Sequence, residues 1–176
     1  MPPPGFNDRV WDMPVRVTHW VLAATALGAY FVPAVPLNAH AFLGYAALTA
    51  VAIRIAWGFV GSEYARFTNF VPGMRALIAY LHALARRREP RMAGHNPAGA
   101  VMILLLLALM LVLGVTGWMI SQPAWRDWRL LEDVHILVAH LLMLAACMHV
   151  LGVVYTSVRH RENLIWAMIT GRKRRE

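Results

Sequence analysis

The sequence predicts an all-α integral membrane protein. It should be a four-helix bundle with both termini in the cytoplasm and an amphipathic helix on the surface between helices two and three. Three observations carry this. Apolar residues make up 59% of the 176-residue chain and charged residues 15%, too little charge to cover a soluble domain of this size. Mean hydropathy is +0.51. Four apolar stretches each approach the ~20 residues that cross a bilayer core as a helix.

The first stretch runs from Val15 to Val32 and is stopped by Pro33 and Pro36. It follows a proline-rich start without a small-residue cleavage site, so it reads as a retained span. The second runs from His40 to Val60, the third from Pro97 to Ile120 and the fourth from Asp133 to Val158. Asn96 is placed to cap the third, with Pro97 at its first helical position. Each must be helical, because unpaired backbone in lipid is too costly. No internal repeat breaks the chain, which predicts a single domain over residues 1–176.

The net charge is +8, from 17 basic and 9 acidic residues. The bases sit between the spans, which fits a topology signal rather than a nucleic-acid face. Arg9 and Arg16 precede the first span. Arg66, Arg75, Arg86, Arg87, Arg88 and Arg91 lie between spans two and three, and Arg159, Arg161, Arg172, Lys173, Arg174 and Arg175 follow span four. Only Arg126 and Arg129 lie on the other side, with Arg54 inside span two. The positive-inside rule then puts the termini and the long link in the cytoplasm of a bacterial-type inner membrane. In that link Met74, Leu77, Ile78, Leu81 and Leu84 recur at helical spacing ahead of Arg86–Arg88. That pattern fits either an interfacial helix or a short helix packed on the bundle. The lone Cys147 falls in an apolar run and reads as a small buried apolar residue.

Eight histidines remain to be explained. A polar ring inside a span needs a partner or a task. His135 and His149 are 14 positions apart on one span, which brings their rings to within roughly 40° of one helix face and ~21 Å apart along the axis. Topology puts His19 at the level of His149, and His40 at the level of His135. Two imidazole couples, one nearer each membrane surface, suit two haems with both axial positions filled. Such saturation favours electron transfer over substrate binding. Arg54, 14 positions after His40, shares its face at the cytoplasmic level and is a candidate propionate partner; Arg16 is a second. Gly44 and Gly152, each about a turn from a ligand, would let a macrocycle lie flat or let helices pack closely. His140 faces elsewhere and is expected to bond a neighbouring helix, while His95 reads as a loop residue near the Asn96 cap, with a quinone or propionate contact as the alternative. His82 and His160 read as interfacial. Glu132-x-x-His135 matches half a di-iron motif, but the other Glu residues lie outside the spans. Zinc lacks converging ligands at one level.

An ordered set of segments completes the reading. It comprises Val10-Trp11-Asp12-Met13-Pro14 with Arg16 and His19-Trp20, His40 through Gly44-Tyr45, and Arg54-Ile55 with Trp57-Gly58-Phe59-Val60-Gly61. It continues with Ala65-Arg66-Phe67, Phe70-Val71, Gly94-His95-Asn96-Pro97, His135 with His149, Glu162-Asn163-Leu164 and Met168-Ile169-Thr170-Gly171-Arg172. Across nearly the whole chain this resembles the bacterial cytochrome b561 and nickel-iron hydrogenase b-type cytochrome superfamily. The resemblance implies two haem b groups on His19, His40, His135 and His149. It also implies electron exchange between ubiquinone or menaquinone and a redox protein, such as a c-type cytochrome or a hydrogenase, in a respiratory chain. An electron carrier is the leading expectation, set beside a superoxide:quinone oxidoreductase using Arg126 or Arg129 to attract the anion, and beside a membrane anchor subunit. Membrane lipid and a second copy of the chain complete the expected partners; nucleic acid is not among them.

Overall fold

The computed structural model describes residues 8–32, 37–125 and 127–173. Pro33, Pro36, Arg126, Arg174 and Arg175 lie outside the described residues. In chain order the elements are β1 (Asp8–Arg9), α1 (Met13–Phe31), α2 (Leu37–Val60), α3 (Phe67–Phe70), α4 (Met74–Ala85), α5 (Pro97–Ser121), α6 (Arg129–Arg159), α7 (Leu164–Thr170) and β2 (Arg172–Lys173). The four long helices match the four expected stretches within a few residues. Asn96 caps α5 as expected: its Oδ1 accepts the Gly99 N–H at 2.7 Å.

By length and composition, three helices can cross a membrane: α2 from Ala39, α5 and α6. Their apolar side chains stay outward, as with Phe42 at 72% and Leu144 at 62% exposure. Such surface is stable only against lipid or a partner. Helix α1 has 19 residues and carries Arg16, Thr18, His19 and Thr25, so it falls short of the apolarity of the other three. Cys147, expected to be buried, is exposed. It lies on the outward face of α6, where a thiol behaves as one more small apolar group.

The contacts gather into two compact units. The first comprises residues 1–16, 56–103 and 148–176. It holds fourteen of the seventeen bases. Its core is Val10, Trp11, Val15, Ala65 and Ala167, with Trp57, Tyr64 and Met168 packed against them. One short β pairing accompanies the helices here. Strands β1 and β2 pair antiparallel, Asp8 with Lys173 and Arg9 with Arg172; two-residue strands leave no periodicity to read. The pairing continues as Val10 and Trp11 donate backbone N–H groups to the Gly171 carbonyl at 2.9 and 3.1 Å. Gly171 sits at φ 81°, and a Cβ there would stand 2.5 Å from the Trp11 carbonyl oxygen. Only glycine fits such a close left-handed corner.

Asp12 ties the start of α1 to the end of α2. Its Oδ1 accepts the Val15 N–H at 2.9 Å. Its Oδ2 accepts the Trp57 indole N–H at 2.8 Å and the Ser62 hydroxyl at 2.5 Å. Burial pushes this carboxyl up, but the bonds from Ser62, Trp57 and Val15 outweigh it and hold the pKa below the ordinary value. The arginine-rich link is anchored by Glu89, which accepts from the Tyr155 hydroxyl at 3.1 Å and pairs with Arg159 at 3.2 Å. Buried Glu162 pairs with Arg91 at 3.1 Å and Lys173 at 3.9 Å. Helix α4 buries Tyr80 and leaves Met74, Ile78 and Leu81 exposed on one face.

The second unit comprises residues 17–55 and 104–147. Ala47, Val51, Met110 and Leu142 form its core. Trp118, Trp125 and Trp128 are exposed on it, as expected of aromatic side chains at a membrane–water interface.

Candidate functional site

His40 and His135 meet in the second unit, on α2 and α6. Their ring centres are 6.2 Å apart with planes at 66°. The outer nitrogen of each ring is held. His40 Nδ1 lies 2.9 Å from the Ala29 carbonyl oxygen. A carbonyl can only accept, so this nitrogen carries the proton. His135 Nδ1 lies 2.8 Å from the Thr116 hydroxyl. Thr116 gives its own hydrogen to the Val112 carbonyl at 2.8 Å, so it accepts from His135. Both rings are therefore fixed as the tautomer whose Nε2 keeps a free lone pair. An imidazole donating its second N–H to an oxygen is the usual preparation of a metal ligand.

A half-open cavity adjoins both rings. Thr25, Tyr30, Gly44 and Gly114 are among its lining residues. A Cβ built on Gly44 would meet no atom within 4 Å, so close helix packing does not explain this glycine. Gly117 makes room for the His135 ring, since a Cβ there would stand 3.2 Å from His135 Cε1.

These residues fit a haem. Metal–imidazole bonds of about 2 Å and about 1 Å from nitrogen to ring centre put two axial rings roughly 6 Å apart across an iron. Two imidazoles alone are too few for a bare zinc ion, which takes three or four protein ligands. A porphyrin brings the remaining four nitrogens itself. The apolar lining suits its faces.

The other expected site residues take varied positions. His19, on α1, belongs to the second unit and His149, on α6, to the first; both are half-buried. Arg54 is 5% exposed, so it does not snorkel to the surface. Arg16 directs its Nε to the Met168 carbonyl at 3.3 Å and a second nitrogen to the Ile169 carbonyl. It thereby caps the C-terminal end of α7, a favourable place for a cation. His140 bonds the Ile136 carbonyl of its own helix at 2.8 Å. This corrects the expected bond to a neighbouring helix: an exposed ring on α6 finds its nearest acceptor one turn back. Its second contact is edge-on to Tyr30 of α1, at 5.9 Å. His95 stacks against Trp11 and Phe70 at 4.4 and 4.9 Å. Two contributors escaped the sequence reading, Thr116 and the Ala29 carbonyl. Thr116 lies 19 positions before His135, and no local pattern marks it.

Apolar helices that present a tautomer-locked imidazole pair to an apolar cavity define a membrane cytochrome. The chain belongs to the prokaryotic cytochrome b561 family, whose profile matches residues 10–171. It is accordingly a membrane electron-transfer protein that works through b-type haem. It is similar to a probable Ni/Fe-hydrogenase B-type cytochrome subunit of Rhizobium leguminosarum bv. viciae, 29% identical over 210 aligned residues covering 93% of this chain and 87% of the relative. The corresponding protein of Bradyrhizobium diazoefficiens is 28% identical, with 93% and 85% covered. That of Rhodobacter capsulatus is 26% identical, with 93% and 80% covered. No solved structure matches the chain.

Proposed function

We propose that the chain conducts electrons across a bacterial inner membrane between the quinone pool and a redox partner protein, through two b-type haems. His40 and His135 would hold one haem, and His19 and His149 the other. The single observation that carries this reading is the 6.2 Å separation of two rings whose Nδ1 atoms are both already engaged. In the same reading α1 is the fourth span. The termini and the link from Gly61 to Asn96 face the cytoplasm, and the exposed apolar face of α4 lies on the membrane there.

When bound, the haems supply one-electron redox chemistry. The chain's own residues do the rest. The four imidazoles would hold the two haems, two to each, and would leave the irons to electron transfer rather than substrate binding. Arg54, buried on α2, would place its charge near a propionate of the cytoplasmic-side haem. Gly44 leaves space for the other macrocycle. The redox partner is proposed only as a protein. The hydrogenase subunits align over 210 positions against a chain of 176 residues, so they carry segments absent here, and a docking surface need not be shared.

Haem quantification and reduction by a quinol test the reading. The purified protein should carry about two haems per chain with a b-type spectrum, and a menaquinol or ubiquinol analogue should reduce both. One haem per chain, or no reduction by either quinol, overturns it.

The Thr116 hydroxyl supports a narrower expectation. Thr116→Val keeps the shape but removes the acceptor for His135 Nδ1–H. Loss of such an outer partner typically lowers affinity for the bound group about 10–100-fold. Haem dissociation to apomyoglobin should therefore accelerate for one haem only. An unchanged off-rate would show that Thr116 does not orient the ligand.

A further inference from the structure

Two helices of the first unit end in the same unusual way. At the end of α6, Glu162 N–H bonds the Ser157 carbonyl at 2.9 Å and Arg161 N–H the Val158 carbonyl at 3.3 Å. At the end of α4, Arg88 N–H bonds the Ala83 carbonyl at 2.8 Å and Arg87 N–H the Leu84 carbonyl at 2.9 Å. Both are Schellman closures, in which the residue after the helix adopts the left-handed conformation. Glycine usually stands there. Here the residues are Arg87 at φ 54° and Arg161 at φ 52°, the two non-glycine residues with positive φ among those described. A side chain held at conformational cost points to a use for that side chain.

Arg161 lies beside a place to be used. An open groove runs along the end of α6 and the start of α7. Its walls are apolar, from Val154, Val158 and Ile165. Its rim is polar, from Ser157, Arg161 and Asn163. Asn163 uses its Oδ1 to cap α7 on the Trp166 N–H, which leaves its amide N–H groups as donors. Glu162 also lines the groove, but Arg91 and Lys173 already match its charge. Arg161 is exposed, and among the described residues its guanidinium holds no hydrogen bond or ion pair.

We propose that this groove binds an anionic phospholipid, with the Arg161 guanidinium and the Asn163 amide on the phosphate and an acyl chain along Val154, Val158 and Ile165. The occupant is anionic because every unengaged polar group on the rim can donate and the free charge is positive. It is a lipid because the apolar walls continue a helix that crosses the membrane. The inference rests on the membrane location of the chain and not on its haems.

The test is native mass spectrometry of the full chain released from detergent, with phosphatidylglycerol, phosphatidylcholine and glycerol 3-phosphate as probes. Arg161→Gly is the informative variant, because glycine prefers the left-handed position and should keep the fold. The wild type should bind its first phosphatidylglycerol tighter than phosphatidylcholine, and Arg161→Gly should lose that preference by about five- to tenfold. Arg75→Gln, which removes a different exposed arginine of the same unit, should keep it. Equal phosphatidylglycerol binding by wild type and Arg161→Gly overturns the proposal. So does equal loss in Arg75→Gln, which would mean diffuse charge, or glycerol 3-phosphate binding as tightly as the lipid, which would mean a free-phosphate site. In lipid-free detergent Arg161→Gly should melt no lower than wild type; a lower midpoint overturns the premise that arginine is strained there.

Discussion

Replacing His40 or His135 with alanine will leave the purified protein with about half of its haem, and the double replacement will remove no more than either single one. In the proposed arrangement the two rings serve one iron. An iron that loses one axial imidazole is held by a single ring, and this weaker hold is expected not to survive purification. Once one ligand is gone, removing its partner takes away nothing that is still working, so the two losses do not add. The same should hold for His19 with His149. Crossing the couples should behave differently: His135→Ala with His149→Ala should yield a colourless protein. Haem content by pyridine haemochrome reads all seven variants on one scale. A colourless His40→Ala, His135→Ala double variant would break the pairing. So would a His135→Ala variant with full haem content. Either site lost should also stop quinol-driven reduction of a downstream acceptor, because the two ligand levels stand ~21 Å apart along α6. A protein that only anchors a partner would leave partner activity intact in these variants.

Spacing made the meeting of His40 and His135 legible, because a helix of known rise and turn converts sequence separation into depth and direction. That is why His40 and His135, 95 positions apart in the sequence, could be placed together before any coordinates. The same rule could not find Thr116 or the Ala29 carbonyl. Their contact with a ligand depends on how α5 and α1 are rotated about their axes, and all-round apolar helices carry no face to report that rotation. Cys147 was misplaced for the same reason. Arg16 reads as a candidate ligand contact from its depth, yet its nitrogens lie on α7 carbonyls, a short helix whose return to the N-terminal segment is a tertiary event. The β1–β2 pairing and the Gly171 corner belong to that same return. Helices and their ends were visible in the sequence; what closes the ends upon each other was not.

Asp12 shows how much that closure rests on one side chain. Asp12→Ala should destabilise the folded protein by about 2–4 kcal/mol, since bonds to a charged acceptor contribute about 1.5–3 kcal/mol each and do not add in full. Three donors lose their acceptor together: the Val15 N–H at the head of α1, the Trp57 indole and the Ser62 hydroxyl. The indole is the hardest to satisfy again, because Trp57 is packed against the Val10–Trp11–Val15 core and water reaches it poorly. Asp12→Asn should fall between, as one oxygen can still cap α1 while the amide nitrogen cannot accept from both Trp57 and Ser62. Thermal unfolding in detergent orders the three proteins. The carboxyl also sets a direction with pH. Its folded pKa lies below the ordinary value, so its contribution is complete above the unfolded Asp value of about 3.9 and fades as pH falls through the lower folded one. The gap in unfolding midpoint between wild type and Asp12→Ala should therefore be full at neutral pH and narrow only in acid. A gap that stayed constant into acid would mean that the side chain acts through its shape, and that the three bonds contribute nothing through the carboxylate's charge.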